Sequence, residues 1–330
     1  MLTRWMINLG FEKHLYVSVL NRFLLNLEER SFKGRDLRPV LEVVNDAMPL
    51  DRLNEESFRY RVLLQENYDP ELCIVSESEG RVVGFIYSVT RGETGYINIL
   101  AVKNGFRGRG IGSRMLATVE EKLRKNGFKR IVFSGGPRYL VPGVDVKAYP
   151  GAIGFFTKNG YSESSRESVS MSMSLMGYTT PGGVFELERR LAAEGYSFQQ
   201  LDDEHVLELL LFLKARFPWW YEDARRTMEK HPRCLDWFTL ALHNGELVGY
   251  CQIGTDGLIE HFGPFGVAEE HRNKGVGTVL FHRCLRLIQS LGGKNAWLAW
   301  GGGRNYGFYV RNGMSEARRF AVFTKSLERG

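Results

Sequence analysis

The chain has 330 residues, 43% of them hydrophobic and 25% charged, and its 44 Lys and Arg against 38 Asp and Glu give a net charge of +6. This length suits two ordinary domains, each large enough to bury a core. The basic residues are scattered along the chain, so the mild positive excess favours an anionic ligand. It argues against a nucleic-acid partner, which would require a concentrated basic stripe.

The first 29 residues predict an amphipathic extension packed on the first domain. Their apolar residues are interrupted by charged ones such as Arg4 and Arg22. No small-residue cleavage site follows, so we expect neither a signal peptide nor a membrane span, and no membrane partner.

The four cysteines show no CxxC pair and no short Cys/His spacing. This pattern argues against a zinc site or a disulfide framework, so we expect no bound metal. Reduced thiols in a cytoplasmic protein are the simpler interpretation.

The chain repeats itself at an offset of 165 positions. "GRVVGFIYSV" (80–89) aligns with "GELVGYCQIG" (245–254), and "GYINILAV" (95–102) aligns with "EHFGPFGV" (260–267). Each of these stretches predicts a strand, and each pair of strands is followed by a glycine-rich turn, an amphipathic helix and another strand. The repeat therefore predicts two α/β domains of the same topology.

A later pair of segments aligns at a shorter offset. "FFTKNGY" (155–161) matches "FYVRNGM" (308–314) at an offset of 153, so the first copy carries about a dozen extra residues within 137–152. A Gly/Pro-bearing linker, "MGYTTPGG" (176–183), separates the copies, and a helix follows it. We place the first domain at 30–176, the linker and helix at 177–195, and the second domain at 196–330.

Both copies carry the pattern Arg-x-x-Gly-x-Gly before their helix, at Arg107–Gly112 and at Arg272–Gly277. A helix start has unpaired amides and partial positive charge, and glycines let the backbone approach an anion closely, with the arginine adding full charge. A Walker loop is excluded because Gly-Lys-Ser/Thr is absent, and a dinucleotide loop needs a different spacing. A glycine-rich turn without ligand is the alternative, which the repeated context disfavours.

Each copy resembles a GNAT (GCN5-related N-acetyltransferase) domain. The resemblance rests on the two glycine motifs and on the two aromatic-Asn-Gly segments, and it covers roughly residues 30–175 and 183–328. It implies an α/β (α+β) fold of tandem type, in which each domain is a twisted mixed sheet flanked by helices. It also implies that acetyl-CoA lies between two splayed strands, with its pyrophosphate on the glycine loop. The coenzyme-binding residues expected on this basis are Leu100, Val102, Arg107, Gly108, Arg109, Gly110, Ile111 and Gly112 in the first copy and Phe265, Val267, Arg272, Asn273, Lys274, Gly275, Val276 and Gly277 in the second.

Pro264 lies inside the strand-like stretch of the second copy. A proline is excluded from an interior ladder unless a bulge accommodates its missing donor. In the GNAT family the corresponding strand bulges here, and its amide holds the thioester carbonyl.

The second copy carries the better candidates for catalysis. In the family, the tyrosine of a Phe-Tyr pair often protonates the departing thiolate; the second copy has Tyr309 there, and the first has Phe156. A catalytic base of histone-acetylating relatives falls on His261 in the second copy and on Tyr96 in the first. Histidine titrates near neutral pH and is a suitable base. Glu260 beside it is a further candidate, on the opposite sheet face unless the bulge shifts the register. Purely structural roles for these side chains remain open.

The acceptor side is less clearly marked. Trp219, Trp220 and Tyr221 form an aromatic cluster that suits sugar rings and cationic groups, although anchoring a helix to the core is an equally good interpretation. Asp145, in the extra loop of the first copy, is a candidate partner for an ammonium group or a solvated loop carboxylate.

We therefore expect an acetyl-CoA-dependent N-acetyltransferase for a small primary amine resembling an amino sugar, with its chemistry in the second domain. The alternatives are a protein or peptide acetyltransferase and a non-catalytic acyl-CoA-binding protein. Oligomeric state and acyl chain length have no signature in the sequence.

Overall fold

The computed structural model describes residues 27–165, 168–230 and 234–328, with the side chains of Lys230 and Arg304 left undescribed. The described residues form two compact units. The first contains those up to Ser168 together with those from Phe320 onward, and the second contains Val169–Arg319.

The strands are β1 (Leu27–Ser31), β2 (Cys73–Ser78), β3 (Arg81–Arg91), β4 (Thr94–Val102), β5 (Arg130–Phe133), β6 (Val144–Asp145), β7 (Ser162–Glu163), β8 (Ser168–Ser174), β9 (Tyr196–Gln200), β10 (Phe238–His243), β11 (Glu246–Ile253), β12 (Phe262–Val267), β13 (Asn295–Gly301), β14 (Ser315–Ala321) and β15 (Phe323–Ser326). The helices are α1 (Leu37–Ala47), α2 (Glu55–Phe58), α3 (Ile111–Lys125), α4 (Pro150–Lys158), α5 (Gly182–Ala193), α6 (Val206–Arg216), α7 (Pro218–Lys230), α8 (Val276–Ser290) and α9 (Tyr306–Arg311). Equivalent elements recur at the predicted offsets, most plainly α3 and α8.

The first unit is built on a mixed sheet in the order β1-β2-β3-β4-β5-β15-β7. Its strands are antiparallel except for β4 and β5, which pair in parallel between residues 94–97 and 130–133. Strand β4 continues to Val102 whereas β5 ends at Phe133. The two strands therefore part beyond this short parallel segment, and one edge of β4 is left open.

The second unit repeats this arrangement with less pairing. Its strands follow the orders β12-β11-β10-β9 and β13-β8-β14. Within the described residues, β12 and β13 are joined by a single parallel bridge between His261 and Trp297. The strands splay beyond that bridge, at the place where the first unit also opens.

Each half of the sequence supplies a strand to the sheet of the other unit. Strand β8 pairs with β13 in the second unit, with Met171 opposite Leu298, and β15 pairs with β5 in the first unit, with Thr324 opposite Val132. The domain limits expected at 30–176 and 196–330 follow the sequence repeat, and they differ from the packing units by these strands. A strand carries no local sign of which of two similar sheets it will join.

Helices cover both faces of the second unit's sheet. On one face, α8 packs on Cys251, Ile253 and Phe262. On the other face, α6 and α7 pack on Tyr250 and its neighbours. We call these the α8 face and the α7 face. Successive side chains of β11 alternate between them, as the pleat of a strand requires.

The N-terminal expectation needs one correction. Residues 27–29 belong to β1, which pairs with β2, so they are strand and not part of an amphipathic extension. The rest of that predicted extension, residues 1–26, lies outside the described residues. In the described ranges, no helix is long and apolar enough to cross a membrane.

Candidate active site

Both glycine motifs form the turn that starts a long helix. Gly110 is the N-cap of α3 and Gly275 is the N-cap of α8, and both have left-handed backbone angles, with φ of 83° and 100°. Two residues earlier, Gly108 has a φ of 75° and its equivalent, Asn273, a φ of 63°. Asparagine tolerates this conformation better than most residues, so the second loop keeps the same path with one glycine fewer.

These loops leave backbone donors available. Within the described part of the chain, the amides of residues 108–110 and 273–275 make no backbone hydrogen bond. They precede the positive ends of α3 and α8, so each loop offers N–H groups and partial positive charge to an anion. A Cβ atom at Gly108 or Gly110 would meet open space, whereas one at Gly275 would lie 2.7 Å from the Leu187 side chain. The residues present fit the diphosphate of coenzyme A.

The motif arginines have a structural task. Arg107 donates from Nε to the Val102 carbonyl at 3.1 Å and from Nη2 to the Ala47 carbonyl at 3.1 Å. Arg272 likewise donates from Nε to the Val267 carbonyl at 3.0 Å. Each guanidinium thus ties the loop to the end of the preceding strand. These bonds leave the positive charge of each arginine beside its loop, and its contribution to coenzyme binding stays a prediction.

In each copy, the glycine motif packs against the later aromatic-Asn-Gly segment. A Cβ at Gly112 would lie 3.2 Å from the ring of Phe155, and one at Gly277 would lie 3.8 Å from the ring of Phe308 and 3.2 Å from that of Phe265. A side chain at Gly112 or Gly277 would therefore crowd the ring of Phe155 or Phe265. This contact explains why the glycine motif and the later aromatic segment occur together.

The strand beside each opening is bulged. In the first unit the register between β3 and β4 shifts so that Asn98 is left out of the ladder. In the second unit the shift between β11 and β12 leaves out Gly263 and Pro264, which are joined by a cis peptide bond. The predicted bulge at Pro264 is therefore present. Half-buried residues flank the openings: Leu100 and Val102 in the first unit, and Phe265 with the buried Val267 in the second.

Tyr309 is buried in the second unit, with 7% of its surface exposed. Its ring packs edge-on against Phe262, 6.3 Å away, and against Phe308. Burial raises the pKa of its hydroxyl above the ordinary value, with a smaller contribution from Cys251. Among the described residues the hydroxyl makes no hydrogen bond, so it is a protonated donor without a fixed partner.

His261 lies at the point where β12 and β13 begin to part. Its ring stacks on the ring of Trp297 with 4.1 Å between centroids and an angle of 8°. Its Nδ1 atom lies 3.1 Å from Oδ1 of Asp256. Sequence reasoning missed Asp256, because a lone Asp in a Thr-Asp-Gly turn is an ordinary turn residue.

Glu260 is engaged elsewhere. Its Oε1 accepts hydrogen bonds from the backbone amides of Lys294 and Asn295, at 2.6 and 2.9 Å. The carboxylate closes the turn between α8 and β13. We therefore withdraw the catalytic role expected for Glu260.

The aromatic cluster of α7 divides into an exposed and a packed part. Trp219 is 61% exposed. Trp220 stacks on Phe217 with 4.8 Å between centroids, and the Lys214 ammonium lies 4.6 Å from the ring centre of Tyr221. Trp220 and Tyr221 thus anchor the helix, and Trp219 is the most exposed ring of the three.

Asp145 is buried, with 4% of its surface exposed. Its Oδ1 accepts hydrogen bonds from the backbone amides of Lys147 and Ala148, both at 2.9 Å. The expectation of a solvated loop carboxylate is therefore wrong, because this carboxylate is buried and stabilises the turn after β6. A pairing of Asp145 with an acceptor ammonium stays a prediction.

The extra residues of the first copy pack into their own unit. The carbonyl of Pro137 accepts hydrogen bonds from Gln65 and Asn98, at 2.7 and 2.9 Å, and Val141 joins the buried core. A Cβ at Gly136 would lie 2.6 Å from Cβ of Tyr96. The start of this segment, at Pro137, and the preceding Gly136 therefore lie over β4 on the face that corresponds to the α7 face.

Comparison with known proteins agrees with this architecture. The acetyltransferase (GNAT) family model matches the chain twice, at residues 38–161 and 201–314. Acetyltransferases of Photorhabdus laumondii and Pectobacterium atrosepticum are 42% and 37% identical over 65 residues, which is 20% of this chain and 46% of each relative. The chain thus spans about half the length of the curated relatives that it matches.

Solved structures show the same fold over nearly the whole chain. A GCN5-related glucosamine N-acetyltransferase region of a fungal multi-domain beta-N-acetylglucosaminidase superposes with a TM-score of 0.78 at 18% identity, covering 91% of this chain and 38% of that one. A tandem GNAT protein from the clavulanic acid pathway superposes with a TM-score of 0.63 at 20% identity, covering 92% and 100%. The chain belongs to the acetyltransferase (GNAT) family and carries its domain twice.

Proposed function

We propose that this protein transfers an acetyl group from acetyl-CoA to a small primary amine, and that the second unit performs the transfer. The observation that carries the proposal is the contrast between the two openings. In the second unit, His261 lies beside the splayed strands with Asp256 at 3.1 Å. In the first unit, the equivalent residue is Tyr96, against which Gly136 is closely packed, and Pro137 bonds to the neighbouring Asn98 at the bulge.

Both glycine loops support coenzyme binding. The loops would hold the diphosphate through the backbone amides of residues 108–112 and 273–277, since a helix start with free N–H groups favours phosphate. When bound, acetyl-CoA supplies a thioester whose acyl carbon an amine is able to attack. We propose that the first unit holds coenzyme without turning it over.

In the second unit, the proposed roles follow from chemistry and position. His261 accepts the proton that the attacking nitrogen loses as the N–C bond forms. The Asp256 carboxylate lies 3.1 Å from Nδ1 but makes no hydrogen bond to it, so we assign it a charge-stabilising role on the protonated ring. The backbone at the Gly263–Pro264 bulge stabilises negative charge on the carbonyl oxygen. As the C–S bond breaks, Tyr309 donates its proton to the sulfur, and solvent restores that proton. The products are an amide and a thiol.

We favour an amino sugar or a similar hydroxylated amine as the acceptor. Exposed Trp219 offers a flat face of the kind that binds sugar rings. One neighbour in fold is named a glucosamine N-acetyltransferase. Nearby Glu222 and Asp223 are paired with Arg225 and Arg226, so they are poor candidates for holding the ammonium group.

A cytoplasmic location is part of the same proposal. All four cysteines are buried free thiols, and free thiols persist in reducing compartments.

Release of CoA thiol from acetyl-CoA in the presence of a panel of amines tests the proposal. We expect glucosamine and related primary amines to release thiol in proportion to amide formed. Tight coenzyme binding without turnover on any amine would contradict it and would favour a non-catalytic acyl-CoA-binding protein.

A further inference from the structure

A relay of hydrogen bonds crosses from α7 to β11 in the second unit. The hydroxyl of Thr227 donates to the backbone carbonyl of Asp223 at 2.9 Å, and Nε2 of Gln252 donates to the hydroxyl oxygen of Thr227 at 2.7 Å. A carbonyl only accepts, so the single proton of Thr227 is committed to it. Gln252 must therefore present its amide nitrogen to Thr227, and its Oε1 faces the other way as a pure acceptor.

That acceptor has no partner in the part of the chain that the structure describes. Gln252 is fully buried, and among the described residues its Oε1 makes no hydrogen bond. Buried polar atoms in native proteins are nearly always paired, so an unpaired one calls for an explanation. A bound donor group supplies one.

The strand register places this atom at the proposed site of reaction. Cys251 pairs with Phe265, and Ile253 pairs with Phe262, so Gln252 lies opposite the bulge of β12 at Gly263 and Pro264. Gln252 also shares the α7 face with His261, because the amide of Gly254 bonds to the His261 carbonyl and cross-strand partners point to the same side.

The first unit differs at the corresponding position. Tyr87 replaces Gln252 at the offset of 165, and its hydroxyl donates to the Val62 carbonyl at 3.3 Å. The neighbouring Phe85 replaces Tyr250, whose buried hydroxyl is also unpaired among the described residues. At this strand position, the unpaired acceptor is thus found in the second unit and not in the first. The first unit has its own acceptor that is unpaired among the described residues, Oδ1 of Asn98, on the bulged strand β4.

We propose that Oε1 of Gln252 binds an N–H of the acceptor amine in the second unit, and that Thr227 is the positioning residue that turns the amide toward it. This inference rests on the proposed function. A primary amine has a second N–H for Gln252 after the first proton passes to His261, whereas a secondary amine has none. The arrangement therefore selects primary over secondary amines.

Gln252→Met tests the proposal, because it keeps the side-chain volume and removes the acceptor. We expect kcat/KM for a primary amine to fall about 10- to 100-fold, the range set by losing one hydrogen bond to a substrate. The ratio of kcat/KM for the primary amine to kcat/KM for its N-methyl derivative should fall toward one. Calorimetry on the CoA-bound protein should show weaker amine binding, with the Kd for CoA unchanged.

Two further variants keep the test decisive if Gln252→Met unfolds. Thr227→Val removes the hydroxyl that orients the amide and should reproduce part of the loss, and Thr227→Ser should recover most of it. Tyr87→Phe, at the matched position of the first unit, should leave kcat/KM unchanged. Folded Gln252→Met and Thr227→Val proteins that keep wild-type kcat/KM and primary-amine preference would overturn the inference while leaving the proposed function intact. A wild type that acetylates no amine would overturn both.

Discussion

Tyr309 occupies in the second unit the helix position that Phe156 occupies in the first, and both rings are buried, with 7% and 2% of their surface exposed. Phe156 stacks on Phe323 at 5.2 Å between centroids and lies 4.5 Å from Phe133. The two copies thus bury an aromatic ring at the same helix position, and only the second adds a hydroxyl group to it.

Tyr309→Phe should lower kcat about 100-fold, in the range expected for losing a general acid, with the Kd for CoA unchanged. The substitution removes a hydroxyl that has no hydrogen bond in the described structure, so the free energy of unfolding should change by less than about 1 kcal/mol. Stopped-assay kinetics and denaturant titration measure the two effects. Wild-type kcat in this variant would remove Tyr309 from the mechanism.

Phe156→Tyr is the matched exchange in the first unit. It buries a hydroxyl among aromatic rings and should lower the free energy of unfolding by about 1–3 kcal/mol. Because the first unit has Tyr96 where the second has His261, it lacks the proposed base and we expect no gain of activity. A double variant, Tyr309→Phe with Phe156→Tyr, that regains turnover would reassign catalysis to the first unit.

His261→Gln should lower kcat/KM about 100-fold near neutral pH, since the attacking amine then lacks its base. This loss of kcat/KM should become smaller at a pH above the pKa of the amine, because the amine is already neutral there. Asp256→Asn should give a smaller loss of about tenfold, because it removes only the negative charge beside the protonated ring. A loss for His261→Gln that is constant across the pH range would indicate a structural role for that histidine.

Asn273→Asp should weaken CoA binding in the second unit about tenfold, because it adds a negative charge beside the diphosphate while tolerating the left-handed backbone. Calorimetry should show one of two coenzyme sites weakened. Asn273→Gly keeps the backbone path without the charge and should bind CoA as the wild type does. Equal affinities for the Asp and Gly variants would place the diphosphate elsewhere.

The stability of the second unit should depend on the protonation of His282. Burial lowers the pKa of His282 below the ordinary value of 6.5. The folded protein therefore resists binding a proton that the unfolded chain accepts, so stability is complete above pH 6.5 and is lost as the pH falls through the folded pKa.

Denaturant titrations between pH 7.5 and 5 measure this loss, which for one histidine is at most about 1.4 kcal/mol per pH unit. His282 bonds to the Tyr178 hydroxyl at 2.5 Å and to the side chain of Asn312 at 3.1 Å. His282→Gln should be less stable at pH 7.5 and less sensitive to acid. An unchanged slope in that variant would assign the acid sensitivity to another group, such as His271.

Much of the fold is readable from the sequence because the repeat is strong. The offset of 165 correctly relates α3 to α8, and the Arg-x-x-Gly-x-Gly motif correctly marks a helix start, since glycine at a left-handed N-cap leaves a local signature. The sequence did not predict that β8 joins the sheet of the second unit and that β15 joins the sheet of the first. Both strands fit either sheet, and only tertiary packing selects between them.

The site was less predictable than the fold. The motif identified the loops of Gly110 and Gly275, yet the roles of Arg107 and Glu260 depend on which carbonyls and amides lie nearby in space. Gln252 gave no signal, because a glutamine within a strand is unremarkable until its hydrogen-bond partners are known.

The most direct test of the account is mass spectrometry of the amine after incubation of the full chain with acetyl-CoA and glucosamine. The account predicts one N-acetyl group per molecule of CoA thiol released, with the rate reduced by His261→Gln and by Tyr309→Phe. Failure to acetylate glucosamine or any other amine, in protein that binds CoA at the second glycine loop, would contradict it.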